Sequence, residues 1–187
     1  ARFCLMSAYS YFPPETVHIA VVDPGVGSKR RGVAIAFAGG FLIGPDNGLF
    51  SGILSQNPPL AAVELTNPKY WRTLTPSTTF HGRDIFAPVG ANLANGVPFR
   101  ELGESINPET LVQLPLTEYT AIDGGVIGCI QYADRFGNLI TNIPSNLVQN
   151  KNFSVEVAGF TITSKATYSD TNIGSLIACL LYTSDAA

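Results

Sequence analysis

The chain has 187 residues, enough for one large domain or two modest ones. Hydrophobic residues make up 45% and charged residues only 13%, which indicates a folded globular protein rather than a disordered one. The formal net charge of -3 gives no broad attraction to a phosphate backbone and argues against a nucleic-acid binder. A small anionic or zwitterionic ligand stays possible.

Nothing in the chain predicts a membrane protein or an exported one. No apolar run approaches the roughly 20 residues of a membrane helix, and the start ARFCLMSAYS lacks a basic region followed by an apolar one. The three cysteines, Cys4, Cys129 and Cys179, lie far apart and form no CxxC pair, so reduced thiols are expected rather than a zinc site or a disulfide framework. We therefore predict a cytoplasmic protein.

Strand patterns open the first part of the chain. The run VHIAVV, residues 17–22, is apolar at nearly every position and predicts a strand covered on both faces. Residues 31–45, RGVAIAFAGGFLIGP, contain two further strand runs separated by Gly39 and Gly40, which is typical of a hairpin. The stretch that begins at Asp46, DNGLFSGIL, predicts a capped helix start.

A helix follows in TFHGRDIFAPVGANLANG. Its apolar residues recur at roughly helical spacing, Asp84 is a candidate N-cap and Gly96 is a candidate stop. Strands mixed with helices predict an N-terminal α/β domain over residues 1–105, with a central, mostly parallel sheet. Because the chain begins without Met and almost at once enters a strand-like segment, we expect an amino-terminal part of this domain to be missing.

The remainder of the chain changes character. Pro108 and Pro115 interrupt a stretch of little periodicity, which predicts a linker at residues 106–120. From Gly124 onward, short β-rich runs alternate with turn residues, and no helix is predicted. This pattern favours a small C-terminal antiparallel β-barrel domain over residues 121–187.

The loop DPGVGSKRRG between the first two strand runs invites a phosphate-binding interpretation. It does not match the Walker A spacing, and Arg30 stands where the dinucleotide motif needs its third glycine. By itself the loop predicts an ordinary Gly/Pro turn with solvated cations. The alternative is that Asp23 and one of the cations face a substrate.

Three other turns carry polar groups. His81 stands between a predicted strand end and a helix start, where α/β folds display reactive groups. Asp46 and Asn47 are interpreted as possible helix caps only. The turn ADRFGNL places a carboxylate, an aromatic ring and an amide close together, in Asp134, Phe136 and Asn138, a set that suits an amine and a purine ring. Each of these segments, taken alone, is an ordinary turn.

Taken together, four segments resemble the S-adenosyl-L-methionine hydroxide adenosyltransferases, which are related to fluorinating and chlorinating enzymes. The matching strings are VHIAVVDPGVGSKRRGVAI, LIGPDNGLFS, TFHGRDIFAPVGANLANG and DRFGNLITNIP, in the order and spacing of the family. The resemblance covers roughly residues 9–180. Strings of this length are far more specific than a single glycine-rich loop.

The resemblance implies an enzyme that hydrolyses S-adenosyl-L-methionine to adenosine and L-methionine, by attack of water or hydroxide at the 5' carbon. It implies a catalytic triad of Asp23, Arg30 and His81, with no metal and no cofactor. Either His81 or Asp23 could accept the proton of the water, with Arg30 holding the developing hydroxide. Lys29 and Arg31 are predicted to face solvent.

The resemblance also extends to substrate binding and assembly. Phe80 and Gly82, beside His81, are predicted to bind the substrate together with Asp134, Phe136 and Asn138. The family places its active sites between subunits of a homotrimer, so the last three residues would complete the pocket of an adjacent chain. The family's ribose-binding segment at the start and its Gly-rich continuation after GSLIACL have no counterpart here, so truncation at both ends is expected.

Three alternatives remain. A halide-using adenosyltransferase is disfavoured because, in the fluorinating relatives, a Tyr and a Thr occupy the positions of Asp23 and Val26, and a Ser that of Gly82. A binding module that holds adenosine or S-adenosylmethionine without turning it over is the second alternative. The third is a purely structural α/β domain whose loops are ordinary turns.

Overall fold

The computed structural model describes residues 1–180 and divides the chain into two compact units. The first unit is formed by residues 1–116 and the second begins at Thr117. The carboxyl-terminal stretch LYTSDAA, where the sequence departs from the resembled family, lies outside the described residues.

The first unit is built on a five-stranded mixed sheet with the strand order β1-β3-β2-β4-β5. Its strands are β1 (Thr16–Ile19), β2 (Gly32–Phe37), β3 (Gly40–Pro45), β4 (Ala61–Glu64) and β5 (Glu104–Ile106). Its helices are α1 (Arg2–Ala8), α2 (Ser51–Leu54) and α3 (Ala87–Ala94), with a π-helix at Gly82–Phe86 and short 3-10 turns at Tyr9–Tyr11, Pro68–Tyr70, Phe99–Leu102 and Pro108–Thr110.

The prediction of a mostly parallel sheet is wrong. Only β1 and β3 pair in parallel; β2 pairs antiparallel with both β3 and β4, and β4 pairs antiparallel with β5. For β2 and β3 the short connection decides the direction, because parallel neighbours need a crossover of a dozen or more residues. The predicted hairpin at Gly39 and Gly40 is confirmed: Phe37 pairs directly with Gly40.

The two faces of the sheet pack against different helices. Successive strand side chains point to opposite faces, so Ala34 lies in one apolar cluster with Phe86 and Val89, and Ile35 lies in another with Ile53 and Leu54. The π-helix and α3 therefore cover one face, and α2 covers the other. At about 25 cal/mol per Å² of buried apolar surface, these two clusters supply the main hydrophobic stabilisation of the unit.

Strand β1 is less buried than its apolar sequence predicts. It is the outermost strand of the described sheet, and its residues are partly buried or exposed rather than covered on both faces. Val21 and Val22 lie beyond its end, with 42% and 51% of their surface exposed. α3 packs closely on β1: a Cβ atom at Gly90 would lie 2.4 Å from Cδ1 of Ile19.

The helix after His81 begins earlier than predicted. Asp84 is not its N-cap but lies buried inside the π-helix, because its carboxylate binds arginine side chains and a backbone N–H from another segment. The predicted stop is confirmed: α3 ends at Ala94, and Gly96 adopts a φ of +91°, a left-handed conformation that glycine reaches without steric cost.

Within residues 117–180, the second unit contains three β-hairpins, each a separate two-stranded antiparallel sheet, and an isolated parallel bridge between Ser164 and Ala178. They pair β6 (Thr120–Ile122) with β7 (Gly125–Ile127), β8 (Ile130–Ala133) with β9 (Leu139–Thr141), and β10 (Ser154–Val157) with β11 (Phe160–Thr163). Two 3-10 turns lie at Ser145–Leu147 and Tyr168–Asp170. Antiparallel pairing and the absence of an α-helix within residues 117–180 agree with the prediction, but no closed barrel is present among these residues.

The first unit extends into the stretch predicted as a linker. Ile106 ends β5, and Leu111 packs, 5% exposed, in the cluster that contains Ile35. Residues 106–116 thus belong to the first unit. No helix of the described residues is both long and apolar enough to cross a membrane.

Candidate active site

Residues 20–31, here called loop 20–31, connect β1 to β2 and carry two of the three predicted triad residues. Two successive turns shape the loop, with hydrogen bonds from Val26 N to Asp23 O (3.2 Å) and from Ser28 N to Gly25 O (3.0 Å). Gly27 has a φ of +79°, and a Cβ atom there would lie 2.8 Å from the carbonyl oxygen of Thr78. Glycine is therefore needed at this position both for the turn and for the close contact with the segment before His81.

The turns bring Arg30 back onto Asp23. Nε of Arg30 donates to both carboxylate oxygens of Asp23, at 3.0 and 2.9 Å, and Nη2 donates to Oδ2. The two side chains are only 12% and 6% exposed, so the pair is shielded from solvent. A charge-assisted contact of this kind fixes the geometry of both groups. The Arg30 guanidinium also lies 5.3 Å from the ring centre of Phe86.

His81 contacts the same arginine. Its Nδ1 lies 2.7 Å from Nη2 of Arg30. A guanidinium can only donate, so Nδ1 must be the acceptor, which assigns the proton of the neutral imidazole to Nε2. Burial lowers the pKa of His81 below its ordinary value of 6.5, and the positive charge of Arg30 lowers it further, against the opposing effect of Asp23 and Asp84. His81 is therefore neutral at pH 7.

The structure thus brings Asp23, Arg30 and His81 together in one hydrogen-bonded chain, with Arg30 in the middle. Asp23 and Arg30 approach because of the turns in loop 20–31, whereas His81 arrives from a segment 51 residues further along. Their contact is a geometric finding. Their catalytic role is treated below as a proposal.

Asp84 anchors the segment that leads to His81. Its carboxylate accepts hydrogen bonds from Nε and Nη2 of Arg83 (2.7 and 2.9 Å) and from Ser77 N (2.9 Å), and Arg72 Nη1 lies 3.6 Å away. Asp84 is 2% exposed, and the hydrogen bonds from Arg83 and Ser77 hold its pKa well below its usual range. The sequence suggested only a cap at this position. The flanking arginines at 72 and 83 were the available signal for an ion-pair anchor.

Phe80 and Gly82 flank His81 in different ways. Phe80 is 58% exposed, and its ring lies 4.9 Å from the guanidinium carbon of Arg83. A Cβ atom at Gly82 would lie 3.6 Å from Cγ1 of Val21, an ordinary van der Waals distance. The surface beside His81 is therefore apolar and accessible within the first unit. Substrate binding by these two residues stays a prediction.

In the second unit, Asp134, Phe136 and Asn138 share the loop between β8 and β9. The Asp134 carboxylate accepts from Phe136 N (2.8 Å), Asn138 N (2.9 Å) and Asn138 Nδ2 (2.8 Å). Burial would raise the pKa of Asp134, but these hydrogen bonds outweigh it and lower the pKa. Asn138 Oδ1 accepts from the hydroxyl of Tyr168, while Phe136 is 76% exposed. In this structure Asp134 organises the loop, and Phe136 presents an exposed ring whose centre lies 4.8 Å from the guanidinium carbon of Arg135.

The prediction that Arg31 faces solvent is wrong. Its guanidinium donates to Asp46 Oδ2 through Nε (3.0 Å) and Nη2 (2.6 Å), and to the side chain and backbone of Thr110. Lys29 is exposed, as predicted. Of the three consecutive cations, Arg30 and Arg31 thus bind two different carboxylates. Among residues 1–180, no group of three or more His, Cys, Asp or Glu side chains is placed to hold a metal ion.

Comparison with known proteins identifies the family of the chain. Residues 1–103 match the SAM hydroxide adenosyltransferase N-terminal domain, and residues 128–181 match the SAM hydroxide adenosyltransferase C-terminal domain. The chain belongs to the SAM hydroxide adenosyltransferase family.

Individual relatives carry more specific names. The (R)-S-adenosyl-L-methionine hydrolase of Salinispora arenicola is 40% identical over 165 residues, which cover 88% of this chain and 63% of the relative. A fluorinase of an Actinoplanes species is 30% identical over 158 residues, covering 71% of this chain and 53% of the relative. The chain therefore spans less than two thirds of the curated hydrolase that it matches.

A solved structure shares the fold. The crystal structure of an uncharacterized conserved protein from Thermotoga maritima superimposes with a TM-score of 0.84 at 31% identity, covering 94% of this chain and 70% of that protein. The likeness supports the α/β architecture with small antiparallel sheets described above.

Proposed function

We propose that this chain hydrolyses S-adenosyl-L-methionine to adenosine and L-methionine, by attack of water or hydroxide at the 5' carbon. The observation that carries the proposal is the bridge that Arg30 forms between Asp23 and Nδ1 of His81. Family membership and 40% identity to a protein named (R)-S-adenosyl-L-methionine hydrolase support the same reaction.

The chemistry places modest demands on the protein. The sulfonium is a good leaving group: the oxygen of water forms a bond to C5', the C5'–S bond breaks, and sulfur keeps the electron pair as the neutral thioether of methionine. The protein must desolvate and orient the water in line with that bond and take up its proton. No electron is exchanged with a third group, so neither an oxidant nor a reductant is required.

The hydrogen-bond pattern suggests how the three residues share this work. Nδ1 of His81 already accepts from Arg30, so its Nε2–H is the free group and can donate to the attacking oxygen. Asp23 keeps carboxylate lone pairs beyond those that Arg30 occupies, and we assign proton uptake to Asp23. Arg30 stabilises the negative charge that develops on the oxygen.

A first experiment separates the enzyme from a binding module. The protein is incubated with S-adenosylmethionine in ¹⁸O-water, adenosine is followed by mass spectrometry, and binding is measured by calorimetry. We expect ¹⁸O-labelled adenosine from the wild type and none above background from Asp23→Asn and His81→Ala. Lys29→Ala, which removes a neighbouring exposed charge outside the triad, serves as the matched control. Binding without product would instead support the module.

The halide-using alternative is tested in the same assay. Hydroxide transfer is favoured because the negatively charged carboxylate of Asp23 would repel a halide ion from the site. Addition of fluoride or chloride should therefore leave the amount of adenosine unchanged and yield no 5'-halogenated nucleoside. A halogenated product would reverse the assignment.

We further propose a cytoplasmic homotrimer in which Phe136 and its loop neighbours complete the substrate site of an adjacent subunit. The exposure of the Phe136 ring supports this proposal: 76% of the residue stays open to solvent, although the guanidinium carbon of Arg135 lies 4.8 Å from the ring centre. The three hairpins are proposed to close into a barrel in the whole protein.

Mixed subunits test the assembly. His81→Ala inactivates the first unit, and Phe136→Ala inactivates the second. If each site combines these units from two subunits, trimers refolded from a mixture of both variants contain some sites with neither substitution. Such mixtures should recover part of the activity. Sedimentation analysis should give three times the chain mass. Two inactive variants that form mixed trimers and stay inactive would contradict the shared site.

A further inference from the structure

The segment directly after β3 lies against both ends of loop 20–31. At the near end, Ala20 N donates to Ile43 O (3.0 Å), and a Cβ atom at Gly44 would lie only 2.2 Å from the carbonyl oxygen of Ala20. The start of the loop therefore runs in close contact with β3. The residues that follow β3, Asp46 and Asn47, are placed to hold it.

Asp46 holds the far end of the loop. Its backbone N–H donates to Arg31 O (2.9 Å), and its carboxylate binds the Arg31 guanidinium. The carboxylate of Asp46 is 5% exposed, and its second oxygen accepts from Val112 N (2.8 Å). Arg31 directly follows Arg30 of the triad, so Asp46 fixes the backbone from which Arg30 projects.

Asn47 holds the near end. Its Nδ2 donates to the carbonyl oxygen of Val22 (2.8 Å), and its Oδ1 accepts from Leu49 N (3.2 Å). Because one partner only accepts and the other only donates, the two bonds define which way the amide points. Val22 directly precedes Asp23, and its own side chain is half exposed, so the bond to Asn47 is a direct restraint on the backbone at this point.

We propose that Asn47 is a positioning residue, which aims Asp23 at Arg30 by holding the Val22 carbonyl while Asp46 holds the other end of the loop. The kinetic part of this proposal rests on the proposed function; the geometric part does not. The side-chain hydrogen bonds of Asn47 go to the backbone of Val22 and Leu49, not to the three triad side chains. It acts through the backbone of the loop.

A purely local role would be the alternative. The bond from Leu49 N to Asn47 Oδ1 spans two residues and is an ordinary Asx turn leading toward α2. Asn47→Ser and Asn47→Asp keep an acceptor for Leu49 N but cannot donate to Val22 O as the amide does: the serine is too short, and the carboxylate has no N–H. The two variants therefore separate the restraint on the loop from the turn.

Asn67 provides a matched control. Its Oδ1 accepts from Lys69 N (3.1 Å), two residues on, and its Nδ2 donates to Glu101 O (2.7 Å), the same pair of bonds that Asn47 makes. Neither partner belongs to loop 20–31 or to the segment that carries His81. Asn67→Ser thus reports the cost of losing such a bond at another place in the fold.

The first readout is kinetic. We expect Asn47→Ser and Asn47→Asp to lower kcat about 10- to 100-fold, the range that a misplacement of about 1 Å produces, with KM within about threefold of wild type. Asn67→Ser should keep kcat within about twofold. Thermal unfolding of all three variants is measured alongside, so that a loss of folded protein is distinguished from a misplacement of Asp23.

The second readout does not require turnover. The chain has two histidines, so the His81 imidazole can be followed by NMR across a pH titration. The charged groups that face it are Arg30, Asp23 and Asp84. If Asn47→Ser lets the loop relax, burial and the repulsion from Arg30 both weaken, and the pKa of His81 should rise toward 6.5. Asn67→Ser should leave it unchanged.

The outcomes separate the two proposals. If the wild type binds S-adenosylmethionine but forms no adenosine, the proposed hydrolysis is wrong. The NMR titration of His81 alone then tests the role of Asn47. A His81 titration in Asn47→Ser that superimposes on wild type overturns the positioning role. So does a kcat within about twofold of wild type in both Asn47 variants of an active enzyme.

Discussion

Arg30 donates to a carboxylate on one side and to an imidazole on the other, and this position distinguishes it from its two cationic neighbours. Lys29 is exposed, and Arg31 binds Asp46. A lysine could not replace Arg30, because its single ammonium lacks the planar set of donors that reaches both partners at once. The contact between Asp23 and His81 thus runs through one guanidinium.

Replacement of Arg30 by Lys should be severe. We expect kcat to fall about 100-fold or more in Arg30→Lys, comparable to the loss of one donor that stabilises a developing oxyanion. Lys29→Ala should stay within about twofold of wild type. Steady-state kinetics with S-adenosylmethionine measures both. Equal activity of Arg30→Lys and wild type would show that the bridge between Asp23 and His81 is dispensable.

If His81 acts in hydrolysis as proposed, its protonation should set the acid limb of the pH–rate profile. When Nδ1 takes up a proton it becomes a donor that faces the donors of Arg30, so the contact breaks. Because burial and the charge of Arg30 lower the pKa of His81 below 6.5, the midpoint of the fall in kcat should lie below pH 6.5. A pH–rate profile checks this, and an acid midpoint above 6.5 would contradict it.

The lowered pKa of His81 also makes the free energy of unfolding depend on pH. The unfolded chain binds the proton more tightly than the folded chain, so the stabilising contribution is complete above pH 6.5. It is lost as the pH falls from 6.5 toward the lower pKa of the folded state. His18 shifts in the same direction because of burial and adds to this loss. Urea unfolding at pH 7 and pH 5 should show lower stability at pH 5.

At the scale of elements, the site is the meeting point of a turn and a helix start. Loop 20–31 supplies Asp23 and Arg30, and the segment before the π-helix supplies His81. The two segments touch at Gly27 and Thr78, where no side chain fits. Asp84, buried within the π-helix, binds Ser77 N and so holds the second segment in place.

Gly27→Ala tests this contact. The substitution strains a φ of +79° and pushes a methyl group to within 2.8 Å of Thr78 O, so both stability and kcat should fall. Gly96→Ala is the matched control, because Gly96 has a φ of +91° and nothing within 4 Å of the added Cβ. It should cost about 1 kcal/mol in the free energy of unfolding and leave kcat unchanged. Equal kcat in both variants would contradict the role of the contact.

At the scale of the whole molecule, the two units differ in burial. The buried hydrophobic residues of the described chain lie between Val33 and Leu111, and none of residues 117–180 is buried. Isolated two-stranded sheets are at best marginally stable in water. The second unit also exposes apolar side chains, including those of Phe136 and Phe160.

Hydrogen exchange should follow this division. We expect the slowest amides in β2, β3 and β4, and exchange at least about 100-fold faster in the hairpins of the second unit at low protein concentration. If assembly covers the second unit, its protection should rise with concentration while that of β2 stays constant. Mass spectrometry of labelled peptides measures both. Uniform protection at all concentrations would contradict the division.

Local patterns sufficed for part of the fold. The hairpin of β2 and β3 and the helix stop at Gly96 follow from turn residues within a few positions of the elements they end. The antiparallel order of the sheet and the exposure of β1 depend on which strands become neighbours. Periodicity carries no information about that choice, and an apolar run at an edge looks the same as one at the centre.

The family, the hairpin turn and the choice of Asp23, Arg30 and His81 as candidate triad residues follow from the sequence alone, because they depend on strings of adjacent residues that resemble the family. The three-dimensional contacts were needed to find that Arg30 binds both Asp23 and His81 and that Arg31 binds Asp46. They also showed that Asp84 is an anchor and not a cap, and that Asn47 reaches the Val22 carbonyl. The physical reason is distance along the chain. Arg30 and His81 are 51 residues apart, and Asn47 and Val22 are 25 apart, so folding alone sets which donor meets which acceptor.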